Sequence, residues 1–407
     1  MAAGLQLSTV NFQKGAYIII EGRVQLNYFF IIRSGKVSVT RDAEKGKQEI
    51  LNPGDFFGVI SAMSGHNSIE TAMAVTDVSL IMVYKEQFPM LICKNNPVAM
   101  KIVLFFSRKL REIDTKIAEL TLKSYAVEDV VNLFDIGNYY MAQKQYNEAF
   151  YAFYRFVQYC PTNAEVHNAK VNLQKIKPLS KAVYLGSSEE LKRAYPDNTM
   201  IFCEHEPGNA LYIVQSGKVK ITKMVANKEV LLAVLKEGDI FGEMALLENK
   251  PRSASAISYG GCNLMYVNRE NFKNMISQQP QTITRLICLL AERTWTVYRQ
   301  LLNLQMKSKL QRTYDTLLIQ LEKAKVGIKH GKSYTFEFGI KELAKMVGLT
   351  EEESQPIMME IFKNAKVFKE QDGRIYVSDI EEIQKQVETT GRLVEMSIKR
   401  TGKYTGL

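Results

Sequence analysis

Hydrophobic and polar positions along the chain alternate between two textures. The first is a series of short apolar runs punctuated by glycine: Ala16–Ile20, Tyr28–Ile32 and Ser34-Gly35-Lys36-Val37. A matching series follows at Thr199–Phe202, Leu211–Val214 and Ser216-Gly217-Lys218-Val219. Runs this short, rich in β-branched and aromatic residues and closed by turn residues, predict strands. Asn52-Pro53-Gly54-Asp55-Phe56-Phe57-Gly58 corresponds to Lys236-Glu237-Gly238-Asp239-Ile240-Phe241-Gly242, so the chain carries an internal duplication with its second copy 184 residues downstream at this turn.

The second texture is helical. Over Pro97–Leu122, Ile102, Phe106, Leu110, Ile113, Ile117 and Leu120 recur at helical spacing. Over Pro280–Leu304, Ile283, Ile287, Leu290, Thr294, Val297, Leu301 and Leu304 fall at alternating steps of four and three. That spacing predicts either a coiled-coil seam, and with it a homodimer through the 280–304 helix, or a core-facing helix on its own domain. Between the two strand-rich regions, Leu133, Ile136, Gly137, Tyr140, Ala149, Phe153 and Pro161 sit at tetratricopeptide spacing, with Leu133 in the usual tryptophan place and Phe156 where a small residue is usual. Such a unit is a pair of helices that approach across a small glycine. One and a half repeats do not make a solenoid, so the segment reads as a helical spacer or as a small peptide-binding groove.

The chemistry concentrates in Phe241–Ala256, FGEMALLENKPRSASA. Gly238-Asp239 and Phe241-Gly242 break the strand-rich run, and Glu243–Leu247 is long enough for about one helical turn. The unpaired backbone N–H groups at the start of such a turn favour an anion. Arg252, held by Pro251, brings a guanidinium that clamps a phosphate through two donors. A carboxylate in the same loop repels a bare phosphate, whereas Glu243 accepts well from a sugar hydroxyl. The pattern asks for a compact phosphate ester with a free hydroxyl; the alternative is a surface ion pair between Glu243 and Arg252.

These residues resemble the phosphate-binding cassette of the cyclic-nucleotide-binding domain, the β-roll of catabolite activator proteins and of regulatory subunits of cyclic-AMP-dependent kinases. The pattern F-G-E-[LM]-A-L-[LM], a polar insert and P-R-[ST]-A matches without a gap from Phe241 to Ala254. By this resemblance Glu243 takes the ribose 2′-hydroxyl and Arg252 the cyclic phosphate. Backbone groups at Gly242, Glu243, Met244, Ala245 and Leu246, with Ser253, complete the phosphate shell beside Phe241. The resemblance also implies that the following helix closes over the base, which places Thr294, Trp295, Val297 and Tyr298 at the base. Val297-Tyr298 stands where catabolite activators read adenine with a threonine-serine pair, so base selectivity stays open.

In the first copy Val59 stands opposite Glu243 and Ser68 opposite Arg252, while Ser61 and Asn67 oppose Ala245 and Pro251. That copy keeps the roll without either ligand-defining side chain and is expected to take no ordinary cyclic nucleotide. A changed ligand, held by His66, Asn67 and Ser68, is the alternative.

Residues 306–390 resemble the winged helix-turn-helix of the same activators. Phe336-Glu337-Phe338 reads as a strand, Ile340–Thr350 as a helix, glycine turn and cap, and Gly373–Asp379 as the wing. Where a recognition helix meets DNA, this chain has Glu351-Glu352-Glu353-Ser354-Gln355-Pro356, which a phosphate backbone repels. Pro356 predicts a helix that starts late, with Ser354 as cap, or is kinked. Fourteen Lys plus Arg balance fourteen Asp plus Glu over 305–390, so the domain is neutral. DNA and a protein surface remain alternative partners.

Composition changes this picture little. The chain has 407 residues, 46% hydrophobic and 24% charged, with formal net charge +10, ordinary for a globular protein of two to four domains. No apolar run is long enough to span a membrane, and no secretory signal is recognised. Five cysteines and four histidines lack paired or metal-ligand spacing, so a reduced, cytoplasmic, non-catalytic protein without metal is expected. The expected fold is α+β and multidomain: a degenerate cyclic-nucleotide-binding β-roll with its helix (1–123), a tetratricopeptide-like helical linker (124–182), a cyclic-nucleotide-binding β-roll with its helix (183–304), a winged-helix domain (305–390) and a basic tail (391–407). The expected ligand is cyclic AMP or another cyclic mononucleotide. Output passes through the winged domain to DNA, or through the linker or winged domain to a protein.

Overall fold

The computed structural model describes residues 7–23, 26–44, 46–122, 130–181, 192–225, 228–242, 251–363 and 367–401. The chain divides into two compact units. One contains Met1–Thr9, Asn27–Phe29 and Ile81–Arg293, and the other contains Val10–Leu26, Phe30–Leu80 and Thr294–Leu407.

The duplication is plain in the strands. The first copy has β1 (Ser8–Phe12), β2 (Tyr17–Ile19), β3 (Tyr28–Ser34), β4 (Val37–Thr40), β5 (Gln48–Leu51), β6 (Phe56–Phe57), β7 (Thr71–Ala74) and β8 (Val78–Tyr84). They form two four-stranded sheets, ordered β2-β7-β4-β5 and β1-β8-β3-β6. The second copy has β9 (Lys192–Tyr195), β10 (Met200–Phe202), β11 (Ala210–Val225), β12 (Lys228–Leu235), β13 (Ile240–Phe241) and β14 (Ser255–Asn268) in one six-stranded sheet. Equivalent turns carry equivalent bonds. Asn52 donates its N–H to Asp55 Oδ2 at 2.9 Å, and Lys236 to Asp239 Oδ2 at 2.8 Å. Phe30 pairs with Phe57 as Tyr212 pairs with Phe241. Gly35 and Gly217 both have positive φ, and a Cβ at either would lie within 2.3 Å of a backbone oxygen, at Asp77 and Gly261 respectively. Only glycine allows the strand to cross there.

The helices are α1 (Val59–Ser64), α2 (Phe88–Lys94), α3 (Asn96–Leu122), α4 (Asn132–Ala142), α5 (Tyr146–Tyr159), α6 (Val166–Ile176), α7 (Arg269–Gln278), α8 (Pro280–Gln305), α9 (Lys309–Lys323), α10 (Ile340–Val347), α11 (Glu351–Phe362) and α12 (Glu381–Thr401). α4 and α5 make a helical hairpin across a three-residue turn, with Lys144 at φ 59. Leu133, Ile136, Tyr140, Ala149, Phe153 and Phe156 are buried in it, as their spacing predicts. The hairpin packs on the second roll: Met200, Cys203 and Ile257 of that roll belong to the same core. Tyr139 Oη accepts from the Glu229 N–H at 3.1 Å, and Tyr140 Oη donates to Glu229 Oε1 at 3.0 Å. A Cβ at Gly137 would lie 2.7 Å from the Phe153 ring. Gly137→Ala is therefore expected to lower the thermal midpoint. Overpacking costs about 1–3 kcal/mol, and the gain in helix propensity, about 1 kcal/mol at most, is smaller. An unchanged midpoint would contradict this crossing.

In the other unit, α9 to α12 surround a small sheet of β15 (Tyr334–Thr335), β16 (Phe368–Gln371) and β17 (Arg374–Val377), ordered β15-β17-β16. Leu317, Leu321, Phe336, Leu343, Ile361, Ile375 and Ile383 lie in its core. Of the two alternatives expected at Pro356, a late start capped by Ser354 or a kinked helix, the late start is not adopted: α11 begins at Glu351. Thr350 caps it and accepts from the Glu353 N–H at 3.3 Å, while Glu353 reaches back to the Thr350 N–H at 3.2 Å. This reciprocal capping box fixes the first turn ahead of Pro356, which lies inside the helix. Glu353 also pairs with Lys309.

Candidate functional site

Arg252 lies in the link between Pro251, which bridges to Pro207, and β14. Its backbone is clamped on both sides: its N–H donates to the Glu206 carbonyl at 2.9 Å, and its carbonyl accepts from the His205 N–H at 2.8 Å. His205 holds φ 70, a left-handed backbone that a residue with a Cβ adopts at a cost. Segment 205–207 is thus shaped to present Arg252.

The Arg252 side chain is only 4% exposed. Its guanidinium carbon lies 4.0 Å from the centroid of Phe202 and 5.8 Å from that of Tyr212, so cation–π attraction offsets part of the cost of burying the charge. Nη1 donates to the Gly242 carbonyl at 2.7 Å. Gly242 has φ 76, and a Cβ there would meet Arg252 Nη1 at 2.6 Å, so the glycine leaves room for the guanidinium. Phe241 is buried, with its ring stacked on Tyr212 at 5.2 Å. Nε of Arg252 is buried and has no hydrogen-bond partner among the described residues. A buried cation with an unmet donor, beside a glycine turn, suits an anion that completes its coordination.

Of the other expected ligand residues, Ser253 follows Arg252, and its carbonyl accepts from Lys223 Nζ at 3.1 Å. Glu243, Met244, Ala245 and Leu246 lie outside the described residues.

Thr294, Trp295, Val297 and Tyr298 belong to the compact unit that holds the greater part of the first roll. There the Trp295 indole stacks on His66, ring centroids 3.9 Å apart and 15° from parallel. Tyr298 Oη donates to Glu21 Oε1 at 2.7 Å and accepts from the Ala43 N–H at 3.1 Å. Burial pushes the Glu21 carboxyl up to about 7, against the hydrogen bonds from Tyr298 and from the Asp42 N–H, which pull it down. Thr294 is fully buried and Val297 half-buried. The expected dimer seam on α8 is also largely used within the chain: Ile283, Ile287, Leu290, Thr294 and Leu301 are buried. Long-range pairing of this kind leaves no trace in local spacing.

The first roll replaces Arg252 with something different in kind. Glu70, buried, accepts from the Gly58 N–H at 2.5 Å, at the turn equivalent to Gly242. Its other oxygen lies 2.8 Å from Arg41 Nη2. Arg41 also reaches Glu49 at 3.2 Å and Glu44 at 3.6 Å. Burial works against the Arg41 charge, but Glu70, Glu44 and Glu49 keep it firmly protonated. A carboxylate of the chain thus sits on the backbone donor of the turn. Ser68, opposite Arg252, turns its Oγ to the Glu70 carbonyl at 2.9 Å.

The residues missed from sequence are Phe202 and Tyr212 beneath Arg252, Glu206 beside it, and the Arg41–Glu70 pair. The aromatic pair was visible only as strand composition. None of the five cysteines is in a disulfide. No helix among the described residues is long and apolar enough to cross a membrane.

Comparison with known proteins follows the same division. A family model described as cyclic nucleotide-binding domain matches residues 9–95 and 192–279. A cyclic AMP receptor protein of Thermus thermophilus is 33% identical over 162 residues, 40% of this chain and 72% of that protein. A cAMP-dependent protein kinase regulatory subunit of Aspergillus niger is 33% identical over 104 residues, 26% of this chain and 24% of that one. Among solved structures, the catabolite activator protein of Thermus thermophilus is 28% identical, covering 49% of this chain and 90% of its own, with a TM-score of 0.28.

Proposed function

We propose, on the premise that this chain belongs to the cyclic nucleotide-binding domain family, that it is a non-catalytic regulator whose second roll binds a cyclic mononucleotide, cyclic AMP in the first instance. The observation that carries this reading is the buried Arg252 guanidinium between Phe202, Tyr212 and the Gly242 turn, with no hydrogen-bond partner for Nε among the described residues. The cyclic phosphate would take the free donor, and Glu243 would accept from the ribose 2′-hydroxyl. The two states that regulation requires differ in how tightly the nucleotide is held.

The first roll, in this proposal, takes no nucleotide. Glu70 holds the Gly58 N–H, and a phosphate brought there would face a buried carboxylate at close range. The Trp295–His66 stack and the Tyr298–Glu21 bond give that roll a different task, which is to hold the C-terminal half of α8. Motion of α8 would then carry the signal to the C-terminal domain, which we read as a winged helix derived from a DNA-binding one. The segment α4–α6 we read as a tetratricopeptide-like insert.

Two outputs follow from different observations. Descent from activators favours DNA. The neutral C-terminal domain, and Glu353 bound up in a helix cap and an ion pair at the start of α11, favour a protein partner. Calorimetric titration of the intact chain with cyclic AMP and cyclic GMP tests the ligand: one site per chain supports the proposal, and no heat with any cyclic mononucleotide ends it. A gel-shift salt series with and without cyclic AMP separates the outputs. Nucleotide-dependent retention of DNA supports a transcription regulator, and background affinity at low salt supports the adaptor.

A further inference from the structure

Glu206 stands between two arginines that come from different parts of the same compact unit. Its backbone carbonyl holds the Arg252 N–H. Its carboxylate, 4% exposed, turns toward the helical insert. There Oε1 lies 3.3 Å from Tyr151 Oη, and Oε2 lies 3.5 Å from Arg155 Nε. Both tyrosine and arginine belong to α5. Arg155 Nε and Nη2 each donate to Tyr151 Oη at 3.1 Å, and the phenol hydrogen is shared between Glu206 and the Ile201 carbonyl at 3.2 Å. Burial pushes the Glu206 carboxyl above its ordinary range, while Arg155 and Arg252 both pull it down.

The group is incompletely satisfied. Among the described residues, Oε2 of Glu206 and Nε of Arg252 are both buried without a hydrogen bond. A buried carboxylate within electrostatic reach of the ligand arginine competes with any anion that approaches it. Arg155 moderates that competition by drawing on the same carboxylate from the other side.

We propose that Glu206 and Arg155 form a charge link through which docking of α5 sets the affinity of the nucleotide site. Glu206 is a positioning residue: it acts on the ligand only through Arg252. When α5 is seated, Arg155 and Tyr151 occupy Glu206, and Arg252 is available to a phosphate. When α5 is displaced, Glu206 is left to Arg252 alone and the site weakens. Linkage makes the effect reciprocal, so a bound nucleotide tightens the hold of α5 on the roll. The insert is then a regulatory handle on the site, and a protein that pulled α5 away would release the nucleotide.

This inference rests on the proposed nucleotide site, and its test separates the two. The intact chain is titrated calorimetrically with cyclic AMP as wild type, Arg155→Gln, Arg155→Lys, Glu206→Gln and the double variant Arg155→Gln/Glu206→Gln. Arg155→Gln is expected to weaken binding and Glu206→Gln to tighten it, each by about two- to thirtyfold. Arg155→Lys is expected to remain near wild type. In the Glu206→Gln background, Arg155→Gln is expected to change nothing, an outcome that general structural damage does not produce. Should Arg155→Gln fail to fold, Tyr151→Phe, which removes only a hydroxyl, is expected to weaken binding in the same direction. Binding by wild type with both single variants weakened, or with neither changed, overturns the link and leaves the nucleotide site standing. No binding by wild type overturns both.

Discussion

Replacing Arg252 by alanine is expected to weaken cyclic AMP binding by about ten- to a hundredfold, the loss of charge-assisted bonds worth about 1.5–3 kcal/mol. The guanidinium is already desolvated and held over Phe202, so it meets the phosphate without reorganising. The first roll is not expected to compensate, because Glu70 occupies its backbone donor. Arg252→Lys keeps the charge but not the two-donor fork, and should fall between wild type and alanine. The backbone bonds of residue 252 to His205 and Glu206 do not depend on its side chain, so far-UV circular dichroism should be unchanged. Calorimetry on the three proteins measures the effect, and equal affinity would remove Arg252 from the site.

The largest expected effect on stability lies in the first roll. Arg41→Ala removes the cation 2.8 Å from the buried Glu70 carboxylate, and breaking a buried pair in this way costs about 3–5 kcal/mol. Glu70→Ala is expected to cost less, since Arg41 retains Glu44 and the half-exposed Glu49. The double variant should be less damaged than the sum of the two, because it removes both members of the pair that binds most closely. Urea denaturation followed by circular dichroism would show a lowered midpoint for Arg41→Ala. An Arg41→Ala midpoint equal to wild type would mean that the cluster is surface electrostatics and not a packed core.

What sequence reading reached, and where it stopped, follows from the range of the interactions. The duplication was legible because each copy needs the same glycines: Gly35 and Gly217 admit no Cβ, so they recur at matching positions. The α4–α5 hairpin was legible because its buried positions keep helical spacing around Gly137. Arg252 could be singled out as a candidate because the matching residues from Phe241 to Ala254 are contiguous. The Arg41–Glu70 pair was not, since 29 residues separate its members and neither belongs to a local pattern. The stack of Trp295 on His66 joins residues more than two hundred positions apart, and only the folded chain brings them together. The tie of the insert to the roll was not legible for the same reason: it runs through Tyr151 and Glu206, 55 residues apart. The cap at Thr350 was legible at the end of the Ile340–Thr350 pattern, and of the two alternatives at Pro356 the late start at Ser354 is not adopted, because the Thr350–Glu353 capping box sets the first turn.

The most direct test is a crystal structure grown with cyclic AMP. The account predicts one nucleotide per chain, its cyclic phosphate within hydrogen-bond distance of the Arg252 guanidinium, and the Glu70 carboxylate still on the Gly58 N–H. A nucleotide seated in the first roll, with Glu70 displaced and Arg252 still donating only to the Gly242 carbonyl, would contradict it.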